Sequence, residues 1–131
     1  MSFFNKMFGT EDSKKQETKG FQWKILSSEA DLQAAIAQSD SKNVVLFKHS
    51  TRCSISSMAK SRLERGWDIS DEAADIYYLD LIQYRNVSNA IATNLGVQHQ
   101  SPQVIVLRNG KAIYNASHSA IYAQSIKEHL A

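Results

Sequence analysis

The chain switches several times between two hydrophobic periods, and each switch marks the start of a new element. Phe21 to Leu26 reads as a short first strand. Leu32, Ala35 and Ile36 then fall at the i, i+3, i+4 spacing that lines one helix face, predicting a helix over about 29–38. Ser28 with Asp31 three residues beyond it approximates the reciprocal cap that opens such a helix. Between Asn43 and Lys48 the side chains are continuously apolar, the pattern of a central strand covered on both faces. Ile55, Met58, Ala59, Leu63 and Trp67 return to the helical spacing, so Ser54 to about Arg65 is predicted helical with Gly66 near its end. Asp75 to Leu81 makes the next strand, and Val87, Ala90, Ile91 and Leu95 give a third helix closed by Gly96. Two β-rich runs, Gln103–Leu107 and Lys111–Tyr114, are joined through Asn109-Gly110, a hairpin signal because both residues tolerate positive φ. A last helix is expected from about Ser119 to His129, with Tyr122, Ile126, His129 and Leu130 on one side and Ser117 or Ser119 as its cap.

The element order is therefore β-α-β-α-β-α-β-β-α. Strands separated by helices are expected to cross over and pair in parallel, with the terminal hairpin adding an antiparallel edge. The result is an α/β fold of three layers, a central mixed sheet with helices on both faces, and this order matches the thioredoxin fold. Residues 9–20 carry no apolar side chain, so residues 1–20 read as a flexible N-terminal tail and 21–131 as the folded domain.

Composition narrows the function classes. At 131 residues and 43% hydrophobic content the chain suits one domain with one ordinary core. Its 15 basic and 13 acidic residues leave a net charge of +2, and the basic residues form no stripe that could track phosphates, so nucleic acid is not an expected partner. No run approaches the ~18 apolar residues of a membrane span, and the first residues lack the apolar core of a signal peptide. The expected location is the cytoplasm. One cysteine, Cys53, excludes an internal disulfide and agrees with a reducing compartment.

Cys53 lies at a predicted strand-to-helix junction inside Ser-Thr-Arg-Cys-Ser-Ile-Ser, residues 50–56. The first turn of a helix has unpaired backbone N–H groups and the positive end of the dipole, which favour a thiolate over a thiol. Arg52 adds a favourable charge, and Ser56, one turn along, can donate a hydrogen bond to the sulfur. Thr51, Arg52, Ser54 and Ser56 make a polar surround unlike that of a core cysteine. Pro102, the only proline, stands just before a strand, where the thioredoxin fold sets a cis proline beside the active cysteine. Its missing N–H and the backbone of Ser101 leave an edge to which an extended substrate segment can pair. His49, four residues before Cys53, is within reach of the thiol, whereas one cysteine and scattered histidines lack zinc spacing. His118, in Ser117-His118-Ser119, is expected at the start of the last helix, where N–H groups and an imidazole can receive a carboxylate. His99 reads as surface.

Four segments in order, Lys48-His49-Ser50-Thr51-Arg52-Cys53-Ser54-Ile55-Ser56, Asp80-Leu81-Ile82-x-x-Arg85-x-x-Ser88-Asn89, His99-Gln100-Ser101-Pro102-Gln103 and Ser117-His118-x-x-Ile121, resemble the monothiol bacilliredoxin (YtxJ-like) family over roughly 21–130. The resemblance implies a glutaredoxin-like protein that removes bacillithiol from S-thiolated proteins, with Cys53 attacking, Pro102 as the cis proline and Ser56 in place of a resolving thiol. Bacillithiol is then a co-substrate rather than a tightly bound cofactor, its malate carboxylates being candidates for Ser117, His118 and Ser119, with His49 a further candidate. Recycling needs an external thiol, a second bacillithiol or another redoxin. The family often has proline directly after the cysteine, where this chain has Ser54. Two rival readings exist: a [2Fe-2S]-binding module like monothiol glutaredoxins, whose usual C-G-F-S differs from Cys53-Ser54-Ile55-Ser56, and a thioredoxin-fold adaptor without catalysis.

Overall fold

A computed structural model describes residues 22–130; the predicted tail, residues 1–20, and Phe21 lie outside the described residues. The described part comprises β1 (Lys24–Leu26), α1 (Glu29–Gln38), β2 (Asn43–His49), α2 (Ser54–Gly66), β3 (Ala74–Asp80), α3 (Arg85–Leu95), β4 (Gln103–Arg108), β5 (Lys111–Ser117), a 3-10 turn (His118–Ala120) and α4 (Ala123–Lys127). The five strands form one sheet in the order β1-β3-β2-β4-β5. β3 runs parallel to both β1 and β2, and β4 runs antiparallel to β2 and β5.

Every residue of β2 is buried, because the strand is central and both its faces are covered. Val44, Leu46, Ile105 and Leu107 face a core with Leu32 and Ala35 of α1 and Val87 and Ile91 of α3. Val45, Phe47, Val104 and Val106 face a second core with Ala59 and Leu63 of α2 and Ala123 and Ile126 of α4. This is the mixed sheet between two helical layers that the element order predicts.

Three local features depart from the expectations. β4 is antiparallel to β2 although α3 precedes it. The chain uses residues 97–102 after α3 to climb to the carboxyl end of β2, so β4 starts there, with Gln103 opposite Lys48. The cap of α1 is also offset: the Ser28 hydroxyl accepts from Asp31 N, but the Asp31 carboxylate accepts from Ser27 N and Ser27 Oγ rather than from Ser28. Most consequential is the last helix, which begins at Ala123 with Tyr122 as an uncapped N-cap, so neither Ser117 nor Ser119 opens it. Ser117 ends β5 and His118 sits at φ 56. Arg62 of α2 explains the break, since its guanidinium donates to the carbonyls of Ile121 (2.9 Å) and His118 (3.2 Å), which a continuous helix would have given to amides four residues on. The same guanidinium lies 4.8 Å from the Tyr122 ring centre. The hairpin, in contrast, follows its sequence, with Asn109 at φ 54 and Gly110 at φ 78.

Arg62→Ala should lower the unfolding free energy by about 2 kcal/mol, because two charge-assisted hydrogen bonds disappear together. Urea unfolding checks this, and Arg62→Lys should recover little, since one ammonium cannot span both carbonyls.

Candidate active site around Cys53

β2 delivers the chain to the carboxyl edge of the sheet, and Ser50-Thr51-Arg52 turn it into α2, with Cys53 N donating to Ser50 O at 3.1 Å. Cys53 is the N-cap of α2, in extended backbone (φ −114, ψ 121), and its carbonyl accepts the first helical bond from Ser57 N. The thiol is free and half-buried. The amides of Ser54, Ile55 and Ser56 occupy the first turn, where no helical carbonyl stands behind them. Thr51, Arg52 and Ser54 are exposed around the sulfur. So are Ile55 and Met58, at 57% and 64%, which give the start of α2 an apolar outer face.

Ser56 has a different outlook from the rest of the motif. It is fully buried, its Oγ accepting from Ser50 N at 3.0 Å and lying 2.6 Å from His49 Nδ1. With the imidazole protonated on Nε2, the single hydroxyl proton goes to His49 and none is left for the sulfur. With the proton on Nδ1, Ser56 accepts from both neighbours and keeps its own proton. The sequence reading did not anticipate this competition for the Ser56 hydroxyl.

His49 itself is 5% exposed, and its Nδ1 meets a hydroxyl that is fully buried, so the ring has little access to solvent. Its ring stacks on Phe47 at 5.7 Å and lies 5.5 Å from Tyr78, and Trp23 packs on both. Burial foremost, then the charge of Lys60, holds the imidazole below the ordinary histidine value and favours the neutral ring. Lys60 in turn shares the Glu64 carboxylate with Trp23 Nε1, each at 2.7 Å.

The opposite face of the same strand end carries a residue that sequence reasoning missed. Lys48 is wholly buried, with Nζ 2.7 Å from His99 Nδ1. Burial alone pushes its amine from the ordinary 10.5 to about 8. At ~1.4 kcal/mol per unit, keeping Lys48 charged at neutral pH costs the fold roughly 3 kcal/mol. His99, exposed as expected, is its partner as well, and Ser88 Oγ stands 3.5 Å from the same ring nitrogen. The signal was legible in principle: alternation along β2 puts 44, 46 and 48 on one inward face.

Pro102 is buried beside this edge and its peptide bond with Ser101 is cis. Its carbonyl accepts from His118 N at 3.1 Å, which sets Ser117, His118 and Ser119 next to Pro102 at the same end of the sheet as Cys53. His118 and Ser119 are exposed there, on a turn held by Arg62 and not on the first turn of a helix.

The monothiol bacilliredoxin BrxC family model matches residues 24–126 of this chain. The chain belongs to that family. A solved structure described as a candidate oxidoreductase with a thioredoxin fold is 31% identical, with a TM-score of 0.69, over 80% of this chain and 90% of that one. Thioredoxin from Malassezia sympodialis, at 18% identity and TM-score 0.66, aligns over 89% of this chain and 94% of its own. Thioredoxin from Fasciola hepatica, at 15% and 0.62, covers 80% and 93%, and both likenesses speak for the fold alone. In this bacilliredoxin all four quoted segments meet at one end of the molecule: 48–56 at the β2–α2 junction, 80–89 from the end of β3 into α3, 99–103 before β4 and 117–121 after β5.

Two outcomes follow from the buried polar groups. Ser56→Ala leaves the Ser50 amide and the His49 ring nitrogen without their shared oxygen, and should cost about 2 kcal/mol in urea unfolding. For Lys48, the unfolded chain holds the proton up to 10.5 whereas the folded protein releases it near 8, so wild-type stability rises with pH across that window and is level below it. Measured against Lys48→Met, which cannot titrate, the rise should total roughly 3 kcal/mol.

Proposed function

We propose that this protein is a monothiol thiol-disulfide oxidoreductase that removes bacillithiol from S-thiolated proteins of the cytoplasm. The observation that carries the reading is a free, half-buried Cys53 at the N-cap of α2 in a chain with no second cysteine. The Cys53 thiolate attacks the bacillithiol sulfur of a protein–S–S–bacillithiol bond. That bond breaks, the client sulfur leaves with the electron pair and takes a proton from water, and Cys53 carries bacillithiol as a mixed disulfide. A second thiolate, from bacillithiol or another redoxin, then attacks the adduct and frees Cys53.

The surrounding residues support particular parts in this scheme. Cys53 caps the end of α2 whose first-turn amides have no helical carbonyl partner, beside exposed Arg52. Ser101 offers a backbone edge to the client segment. Half-buried Ser117 and exposed His118 and Ser119, beside Pro102, are within the neighbourhood of the adduct and suit its carboxylates through their hydroxyls and imidazole. His49, expected to meet the small thiol, is covered and instead holds the buried Ser56 hydroxyl.

The test is to incubate the reduced protein with oxidised bacillithiol, with oxidised glutathione and with an S-bacillithiolated protein, reading masses. A bacillithiol adduct on Cys53 and release of reduced client are expected, with both lost in Cys53→Ser. Release of client at the wild-type rate by Cys53→Ser would sink the reading.

A further inference from the structure

Lys48 has no part in the exchange chemistry, yet it is the most costly side chain near the site. It leaves β2 on the face away from His49, is 0% exposed and ends against a neutral ring nitrogen, with no carboxylate contributing to its shift. An apolar residue would fill the same position at lower cost. Directly opposite in the antiparallel register stands a second buried polar residue, Gln103, at 1% exposure. Gln103 Nε2 donates to Gln98 O at 3.1 Å, and its Oε1 accepts from Gln100 N at 3.3 Å. Two neighbouring strands thus send polar side chains from one face into the same short segment: Lys48 holds the side chain of residue 99, Gln103 the backbone of 98 and 100. That segment runs straight into Ser101 and Pro102, whose far side is tied down by His118 N.

We propose that Lys48 is a positioning residue for client recognition: by holding His99, alongside Gln103, it fixes residues 98–101 so that the Ser101 edge is presented beside Cys53 to an extended segment of the S-thiolated protein. The inference rests on the exchange function proposed above. It also has a direction in pH. The ammonium of Lys48 can only donate, so His99 must be neutral at Nδ1 to accept. Protonating His99 would set two cations 2.7 Å apart, with Arg85 of α3 adding a third charge and Ser88 Oγ of the same helix 3.5 Å from that nitrogen. Burial first, then Lys48 and Arg85, keeps His99 below the ordinary value of 6.5, so the latch holds at neutral pH and fails only in acid.

The experiment uses the full chain as wild type and as two variants, Lys48→Met and His99→Gln, whose amide oxygen accepts but does not titrate. Exchange is followed with an S-bacillithiolated protein and with the small disulfide of bacillithiol, which needs no backbone edge, and amide hydrogen exchange is followed without any substrate. Lys48→Met should raise KM for the protein client about tenfold, the value of one charge-assisted hydrogen bond, and leave the small-disulfide rate unchanged. Amides of 98–101 should exchange faster in that variant while those of β2 and β4 do not. His99→Gln should match wild type at neutral pH and lack the rise in KM that wild type shows in acid, on the low side of the ordinary histidine value. An unchanged client KM in Lys48→Met, an equal fall in both rates, or faster exchange across the whole sheet would each overturn the proposal. Wild type inert toward both disulfides would refute the exchange function and the client-recognition half with it; amide exchange would then decide the positioning half, unchanged protection at 98–101 refuting it.

Discussion

The central strand β2 is buried along its whole length, with parallel β3 on one side and antiparallel β4 on the other. A strand in that position has no solvent face, so whatever side chains stand at its end must be sent into one helical layer or the other. Lys48 and His49, adjacent in sequence, are separated in this way by the full thickness of the sheet. One supports the segment before Pro102 and the other supports the turn before Cys53. The two halves of the candidate site, a free thiol and a backbone edge, are thus held from opposite faces by neighbours on one strand.

The antiparallel direction of β4 matters as much as the burial of β2. Had the chain crossed over to a parallel strand, Gln103 would lie at the far end of the sheet from His49. Because β4 starts at the carboxyl edge, the segment 97–102 arrives where the chain leaves β2 for α2, and the end of β5 arrives there too. Arg62 then fixes the turn after β5 by taking two carbonyls from α2. Cys53, Pro102 and His118 lie far apart in sequence, and three backbone directions bring them to one edge.

Much of this was legible in the residues. The apolar run at 44–47, the Asn109-Gly110 turn, the Gly96 stop of α3 and the strand-to-helix junction at Cys53 all rest on local preferences that nothing overrode. The failures have their causes outside the local sequence. The last helix was shortened because Arg62 supplied hydrogen bonds that local periodicity knows nothing of, and the direction of β4 was decided by how the chain returns after α3. Ser56 faces His49, a residue on another element, and His99 gained a role only because Lys48 is aimed at it. Spacing can nominate Cys53, since a helix start acts on its own first turn, but it cannot say which of several polar neighbours will compete for one hydroxyl.

The solitary thiol at the N-cap of α2 has a consequence for how this molecule can hold an oxidation. A protein with two neighbouring cysteines closes a ring on itself, so its oxidised fraction is independent of how dilute it is. With Cys53 alone, every disulfide the chain can form joins it to another molecule. Its disulfide form is therefore always joined to another molecule, and by mass action its abundance follows the concentration of whatever thiol stands on the other side of the bond.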